Sequence, residues 1–173
     1  MDGARLGTAL TWPGNDLSLK DIADLCDAFY IGGTKIGALF GEALVIMDDG
    51  INDHFRYMVK RACALLAKGR LIAVQLKALL EGGEGSLYYE LSRHENRLAI
   101  KLAEGVQKKG YKLWIPHHTN QVFVIVPKKK IEELEKDFFF YVWTPYDEES
   151  SVIRLVISWG STDEDVDALL AAL

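Results

Sequence analysis

Apolar residues in the first fifty positions come in short runs that glycines interrupt. Ser18 is a suitable N-cap for a helix over Leu19–Leu25, because its hydroxyl can accept a hydrogen bond from a first-turn amide. The runs Asp27–Ile31 and Ala43–Met47 are apolar and end at glycine-rich turns, which predicts two buried strands. A helix, a strand, a glycine-rich turn and a strand in this order are typical of an α/β sheet.

Between residues 52 and 81, apolar residues recur at spacings of three and four. This spacing predicts a long helix or a kinked pair, with Gly69 as the weak point. Gly82 and Gly83 end the region. A second long helix is predicted from there to Gly110, with one stripe formed by Leu87, Leu91, His94, Leu98 and Leu102.

The last third of the chain has the pattern of a small α+β domain. A helix is predicted at Ile131–Lys136, and a final helix begins after Thr162, whose hydroxyl can cap it ahead of three acidic residues. Alternating apolar residues predict four strands, at Tyr111–Ile115, Gln121–Val126, Phe138–Trp143 and Val152–Ser158.

Composition indicates an ordinary globular chain of 173 residues, with 49% hydrophobic and 26% charged side chains. The net charge of −5 argues against a nucleic-acid partner, which usually requires a basic surplus. The beginning of the chain lacks the pattern of a secretory signal, and the weakly polar window 28–47 contains Lys35 and Glu42. We therefore expect a cytoplasmic protein without a membrane partner.

The cysteines and the paired histidines do not predict a metal site. Cys26 and Cys63 lack C-x-x-C spacing, so we expect reduced core residues rather than a disulfide or a zinc module. His117 and His118 would point in opposite directions on a strand, and no carboxylate lies at a supporting spacing. A loop before the Gln121 strand is the better interpretation.

Lys35 has the sequence surroundings of a functional lysine. It follows a predicted strand and lies in a glycine-rich turn, Gly32-Gly33-Thr34-Lys35-Ile36-Gly37. Glycines allow the backbone to approach a ligand closely, and the apolar neighbours predict partial desolvation of the amine. Because desolvation lowers the pKa of a lysine, such an amine could attack a carbonyl carbon. An ordinary solvated lysine is the competing interpretation.

Three blocks together resemble one enzyme family. The turn just quoted continues as Ala-Leu-Phe-Gly-Glu to residue 42, Asp2-Gly3-Ala4-Arg5 precedes it, and Arg154 lies in the late strand Val152–Ser158. In order and spacing these blocks are similar to the threonine aldolase and β-eliminating lyase family, which are pyridoxal-phosphate enzymes. The resemblance implies the aspartate-aminotransferase fold (fold type I). It covers the second half of a family member, without the usual phosphate-binding turn, the ring-stacking residue or the base for the substrate hydroxyl.

The resemblance implies a role for five residues. Lys35 would be the catalytic residue that forms the Schiff base with the cofactor aldehyde, and Asp2 would keep the pyridine nitrogen protonated. Thr34 would contact the cofactor phosphate. Arg5 would lie near the cofactor and the substrate carboxylate, and Arg154 would bind that carboxylate through its planar guanidinium. Taken singly, Asp2, Thr34 and Arg154 would be interpreted as ordinary turn or surface residues, and it is their joint order that favours the functional roles.

The fold and activity implied by the resemblance are specific. Residues 1–52 would belong to a partial large α/β domain, 53–83 to a long connecting helix, and 84–173 to a small α+β domain. The implied reaction is cleavage of the Cα–Cβ bond of a β-hydroxy amino acid to glycine and an aldehyde, with β-elimination of an aromatic amino acid as an alternative. The alternative to an enzyme is a noncatalytic truncated fragment that acts as a dimerisation or interaction module. A homo-oligomer, dimer or tetramer, is the expected assembly.

Overall fold

A computed structural model describes residues 1–173, which form two compact units at 1–92 and 93–173. Each unit has its own hydrophobic core. The first unit contains α1 (Leu6–Leu10), α2 (Leu19–Leu25), β1 (Ala28–Gly32), β2 (Glu42–Ile46), α3 (Asp49–Asn52), α4 (Phe55–Arg61), α5 (Arg70–Leu80), a 3-10 turn (Gly83–Gly85) and the first turns of α6 (Leu87–Lys108).

The predicted helix after Ser18 is confirmed. The Ser18 hydroxyl accepts a hydrogen bond from the Asp21 amide, and the Asp21 carboxylate accepts one from the Ser18 amide. This reciprocal arrangement is a capping box, which satisfies two amides that a helix start leaves unpaired. Ile22 on the inner face of α2 is buried in the core of the first unit.

The first sheet consists of the two strands predicted from the early apolar runs. β1 pairs antiparallel with β2, from Ala28 opposite Ile46 to Gly32 opposite Glu42. On the other edge of β1, residues 1–3 run parallel to it. The Gly32 amide donates to the Gly3 carbonyl over 2.9 Å, and the amino group of Met1 donates to the Ala28 carbonyl over 2.7 Å. This pairing places Asp2 beside the middle of β1.

The prediction of a long continuous helix over 53–83 is wrong. α3, α4 and α5 are separate, although Gly69 does lie at the start of α5, where a weak point was predicted. His54 before α4 and Cys63 after it have φ angles of 54° and 56°. A right-handed helix cannot include a residue with positive φ, so these two positions separate its segments.

The second unit has the α+β structure that the sequence predicts, and its strands pair antiparallel. Its sheet has the strand order β3-β4-β6-β5. Several boundaries differ from the prediction: α7 begins at Lys128 rather than Ile131, β5 begins at Tyr141 rather than Phe138, and β6 covers Ser150–Val156 rather than Val152–Ser158. The elements after α6 are β3 (Lys112–Leu113), β4 (Gln121–Pro127), α7 (Lys128–Leu134), β5 (Tyr141–Pro145), β6 (Ser150–Val156) and α8 (Asp163–Ala172).

One face of the second sheet forms the core of its unit. Val122, Val124 and Val126 alternate along β4 and are fully buried, in one cluster with Leu98 of α6 and Val166 of α8. The residues between them in the sequence therefore lie on the opposite face of the sheet. Arg154 on β6 is opposite Phe123 in the strand register and lies on that outer face.

Ion pairs join the beginning of α8 to α6. The Asp163 carboxylate accepts hydrogen bonds from the Arg97 guanidinium at 2.8 and 3.1 Å and from the Lys101 ammonium at 3.0 Å. These bonds, Arg97 first, hold the pKa of Asp163 far below its usual range. Thr162 caps α8 with a capping box, which confirms the predicted helix start.

Several expectations about isolated residues have mixed outcomes. Both cysteines are free thiols, but the expectation that Cys63 is a core residue is wrong, since its side chain is exposed and Cys26 is only half-buried. His117 and His118 lie in a loop before β4, as predicted. No group of three or more His, Cys, Asp or Glu side chains is arranged to hold a metal ion. No helix combines the length and the apolar character that crossing a bilayer requires.

Candidate functional site

The turn that carries Lys35 is anchored by its own backbone. The Gly33 carbonyl accepts hydrogen bonds from the amides of Ile36 and Ala38, both over 3.0 Å. The Ile36 side chain is fully buried, and Gly37 has a φ of 90°, which favours glycine strongly over any other residue. The turn is thus fixed to the core from the inside.

Lys35 itself faces outward. The side chains of Ile36 and Ala38 are buried on the inner side of the turn, whereas those of Thr34 and Lys35 are exposed. The predicted partial desolvation of the Lys35 amine is therefore wrong for this chain. The positive charge of Lys35 nevertheless acts on Asp2, where it contributes to a lowered carboxyl pKa.

Asp2 is held by two hydrogen bonds to one of its oxygens. The Tyr30 hydroxyl donates to Oδ1, and the Ala4 amide donates to the same atom over 2.9 Å. The Tyr30 bond is the largest cause of the lowered pKa of Asp2, followed by the Ala4 bond and then by the charge of Lys35. The carboxylate is therefore kept ionised, with Oδ2 directed to neither donor.

Two glycines allow the Asp2 segment to lie against β1. A Cβ atom on Gly3 would be 1.7 Å from the Tyr30 carbonyl oxygen, and one on Gly32 would be 2.5 Å from the Ala4 carbonyl oxygen. Real Cβ contacts essentially never fall below 3.0 Å. The glycine of the Asp-Gly-Ala-Arg block is thus a packing requirement at the place where two backbones meet.

Glu42 joins the base of the Lys35 turn to β2. Its Oε2 accepts a hydrogen bond from the Gly33 amide over 2.7 Å, and its Oε1 accepts one from the Thr34 hydroxyl over 3.0 Å. The pKa of Tyr30 is raised, first by its hydrogen bond to Asp2, and the charge of Glu42 adds to the effect. The carboxylates of Asp2 and Glu42 therefore lie on the same side of the first unit as Lys35.

Tyr30 and Glu42 are the residues of this cluster that the sequence reasoning did not select. Strand alternation could have identified Tyr30, because the buried Phe29 and Ile31 on either side of it face the core. Glu42 has no comparable local signal. Its contact with Thr34 spans eight positions and depends on how the turn closes.

Arg5 lies at the end of the Asp2 segment, at the N-cap of α1. Its side chain is half-buried, and its carbonyl accepts a hydrogen bond from the Thr8 hydroxyl over 2.9 Å. The structure thus places Asp2, Arg5, Thr34 and Lys35 in the first unit. Arg154 belongs to the second unit.

The guanidinium of Arg154 packs against two aromatic rings. Its Cζ lies 4.8 Å from the ring centre of Tyr141 and 5.1 Å from that of Trp143, both on β5. These distances are typical of cation–π contacts. Phe123 supports the Trp143 ring edge-on at 5.4 Å, and Arg154 Nε is buried without a hydrogen-bond partner. The side chain is therefore oriented by stacking.

Comparison with known proteins gives a consistent result. The chain is 32% identical, over 98% of its length, to a low specificity L-threonine aldolase of Pseudomonas aeruginosa. It also matches a structure of Leishmania major threonine aldolase with a TM-score of 0.93 and 39% identity, over 98% of the chain. The chain is related to the threonine aldolases. The resemblance inferred from the Lys35 and Asp2 blocks is thereby confirmed, although no protein-family model matches.

More distant structures show the fold alone. A serine palmitoyltransferase of Sphingomonas wittichii matches with a TM-score of 0.62 at 15% identity over 88% of this chain and 40% of its own. A lysine aminotransferase of Mycobacterium tuberculosis matches with a TM-score of 0.51 at 15% identity over 99% of this chain and 39% of its own. The predicted partial aminotransferase-type fold is confirmed.

The match is partial from the side of the relatives. The chain spans about half the length of the curated relatives it matches, 47% of the Pseudomonas aeruginosa protein and 48% of the protein from a second Pseudomonas. It covers 49% of the Leishmania chain.

Proposed function

We propose that this chain forms part of a pyridoxal-phosphate-dependent lyase of the threonine aldolase type. The substrate would be a small β-hydroxy amino acid, and Cα–Cβ cleavage would give glycine and an aldehyde. One observation carries the proposal: the Asp2 carboxylate, kept ionised by Tyr30, lies within the electrostatic influence of Lys35 in a chain related to threonine aldolases.

The residues present fit two ends of pyridoxal phosphate. Asp2 has a low pKa and an oxygen, Oδ2, that neither Tyr30 nor Ala4 uses, which suits a protonated ring nitrogen. Lys35 supplies a solvent-accessible primary amine for the aldehyde. The cofactor, when bound, supplies an electron sink for negative charge at the substrate α-carbon. The predicted contact of Thr34 with the cofactor phosphate would have to compete with the hydrogen bond that its hydroxyl donates to Glu42.

A guanidinium suits the carboxylate of the substrate, and the first unit offers Arg5 for this role whereas the second unit offers Arg154. A guanidinium presents paired N–H groups in one plane, which matches the two oxygens of a carboxylate and restricts rotation of the bound amino acid. The rings of Tyr141 and Trp143 hold the Arg154 guanidinium by cation–π contacts before any ligand binds. Orientation of the carboxylate selects which α-carbon bond is broken, because it fixes the rotation of the substrate.

Borohydride trapping tests the cofactor assignment. The purified chain is mixed with pyridoxal phosphate and reduced, and the modified lysines are mapped by mass spectrometry. We expect modification concentrated at Lys35 and absent in Lys35→Ala, whereas Lys77→Ala, which changes an exposed lysine of α5, should leave the Lys35 product unchanged. Labelling spread evenly over surface lysines would contradict the proposal and favour a noncatalytic interaction module.

Product analysis tests the reaction class. With L-threonine, an aldolase releases glycine and acetaldehyde. With L-tyrosine as a second substrate, β-elimination would release phenol, pyruvate and ammonia. We expect the former from the enzyme that contains this sequence, and no activity from its Lys35→Ala variant. Formation of pyruvate and phenol from L-tyrosine, without glycine from L-threonine, would favour the β-eliminating alternative.

We also propose that the chain self-associates. Large apolar side chains are exposed along α4 and α5, with Tyr57 at 75% and Leu71 at 62%. Surfaces of this kind usually mark contacts with other proteins. Leu71→Glu should lower the sedimentation coefficient, whereas Leu25→Glu, which changes another exposed leucine, should not. A monomeric wild-type chain at micromolar concentration would exclude this assembly.

A further inference from the structure

We propose that Glu42 is a positioning residue that holds the Lys35 turn in place, a role that rests on the proposed function of Lys35. Glu42 touches neither the amine of Lys35 nor the carboxylate of Asp2 in any hydrogen bond. It acts through Gly33 and Thr34, the two residues that immediately precede Lys35. Its role is to fix where the turn leaves β1.

Both oxygens of the Glu42 carboxylate are used in this contact. Oε2 accepts from the Gly33 amide over 2.7 Å, and Oε1 accepts from the Thr34 hydroxyl over 3.0 Å. Gly33 is buried, and its own carbonyl already closes the turn by accepting two amides. The amide and the carbonyl of Gly33 are thus both hydrogen-bonded, so the peptide groups on either side of this residue are held and the turn has little freedom to move at its first residue.

The position of Glu42 in the sheet explains why it can reach the turn. Glu42 stands opposite Gly32 at the first register position of β2, so its side chain starts beside the last residue of β1. Gly41, with a φ of 91°, brings the chain sharply into that position, and its carbonyl oxygen lies close to Gly33. The antiparallel pairing therefore places the Glu42 carboxylate next to its two donors, the Gly33 amide and the Thr34 hydroxyl, which follow β1.

This contact changes what Thr34 can offer. A hydroxyl has one proton to donate, and that of Thr34 is directed to Glu42. The outward side of the hydroxyl is left with lone pairs, and the nearby negative charge disfavours a phosphate. We therefore assign Thr34 to the support of the turn, as the partner of Glu42, rather than to the cofactor phosphate.

Two variants of Glu42 separate its charge from its hydrogen bonding. Glu42→Ala removes both acceptors. Glu42→Gln keeps an oxygen for the Gly33 amide and presents an amide group that can donate to the Thr34 oxygen. Thr34→Val removes only the hydroxyl contact. Glu132→Gln, on an exposed position of α7 in the second unit, is the matched control.

Hydrogen exchange of the Gly33 amide tests the contact without any cofactor. We expect exchange to be about tenfold faster in Glu42→Ala than in the wild type, to stay within about threefold in Glu42→Gln, and to be unchanged in Glu132→Gln. Unchanged exchange at Gly33 in Glu42→Ala would overturn the proposal, because the bond would then protect nothing.

Trapping of Lys35 by pyridoxal phosphate and borohydride tests the positioning role. In Glu42→Ala, we expect trapping at Lys35 to slow relative to trapping at Lys77 in the same sample, with recovery in Glu42→Gln. A ratio equal to that of the wild type would overturn the positioning role. If wild-type Lys35 is not trapped at all, the proposed function fails. Faster exchange at Gly33 in Glu42→Ala would then still support the role of Glu42 in holding the turn.

Discussion

Gly3→Ala is the substitution with the clearest consequence for the Asp2 segment. The new Cβ atom would lie 1.7 Å from the Tyr30 carbonyl oxygen, a backbone atom that no side-chain rotation can move. The separation must double to reach ordinary contact, which begins at 3.4 Å. Residues 1–3 must therefore move away from β1, or β1 must bend.

The expected loss of stability follows from the contacts that this movement breaks. The Gly32 amide donates to the Gly3 carbonyl over 2.9 Å, and the Tyr30 amide donates to the Met1 carbonyl over 3.4 Å. Each such bond contributes roughly 0.5–1.5 kcal/mol, and forced displacement in a packed region costs about 1–3 kcal/mol. We therefore expect Gly3→Ala to lower the free energy of unfolding of the first unit by roughly 2–6 kcal/mol.

Urea unfolding followed by amide resonances of residues 1–92 measures this loss, because the two compact units need not unfold together. Gly85→Ala is the matched control: no atom lies within 4 Å of its new Cβ, and its φ is not in the positive region. We expect no loss of stability there. Equal stability of Gly3→Ala and Gly85→Ala would refute the reasoning that the motif glycine is a packing requirement.

Three further substitutions test other contacts. Tyr30→Phe removes the largest cause of the lowered pKa of Asp2, so that pKa should rise toward 3.8 in a carboxyl NMR titration, and an unchanged value would contradict the assigned bond. Tyr88→Phe leaves the buried Gly7 amide without its acceptor at 3.0 Å and should destabilise the first unit by about 1–3 kcal/mol in urea; no change would mean that another acceptor replaces it. The lowered pKa of Asp163 gives stability that is present above its unfolded pKa, about 3.9, and lost as pH falls through the native pKa. Asp163→Asn should therefore lower the Tm of the second unit at pH 7 and flatten its acid dependence, and parallel Tm profiles would count against this.

The elements predicted most accurately are those with a complete local signal. α2 and α8 begin where their capping residues, Ser18 and Thr162, indicate, because capping is decided within four residues. β4 alternates strictly and was placed to within one residue. The region 52–81 shows the limit of periodicity, since the positive φ of Cys63 has no signature in a pattern of apolar spacings.

The chemistry of the first unit was predictable only in part. The blocks around Asp2 and Lys35 indicated both residues, and in the structure the charge of Lys35 contributes to the lowered pKa of Asp2. The exposure of Lys35 was not predictable from its apolar neighbours, because it depends on Ile36 and Ala38 turning inward. The supporting role of Glu42 could not be predicted from the sequence either, because its contact with Thr34 exists only after β1 and β2 have paired.

Arg154 shows how strand pairing alone can prepare a binding group. Tyr141 stands directly opposite Arg154, and a bulge between Val142 and Thr144 leaves Trp143 without a register partner. Trp143 can therefore contact the same Arg154 guanidinium as Tyr141 does. A cation–π contact uses the charge of the guanidinium and consumes none of its N–H donors, which are the groups that a carboxylate meets. Because both rings come from β5, this orientation forms with the sheet of the second unit and requires neither the cofactor nor the substrate.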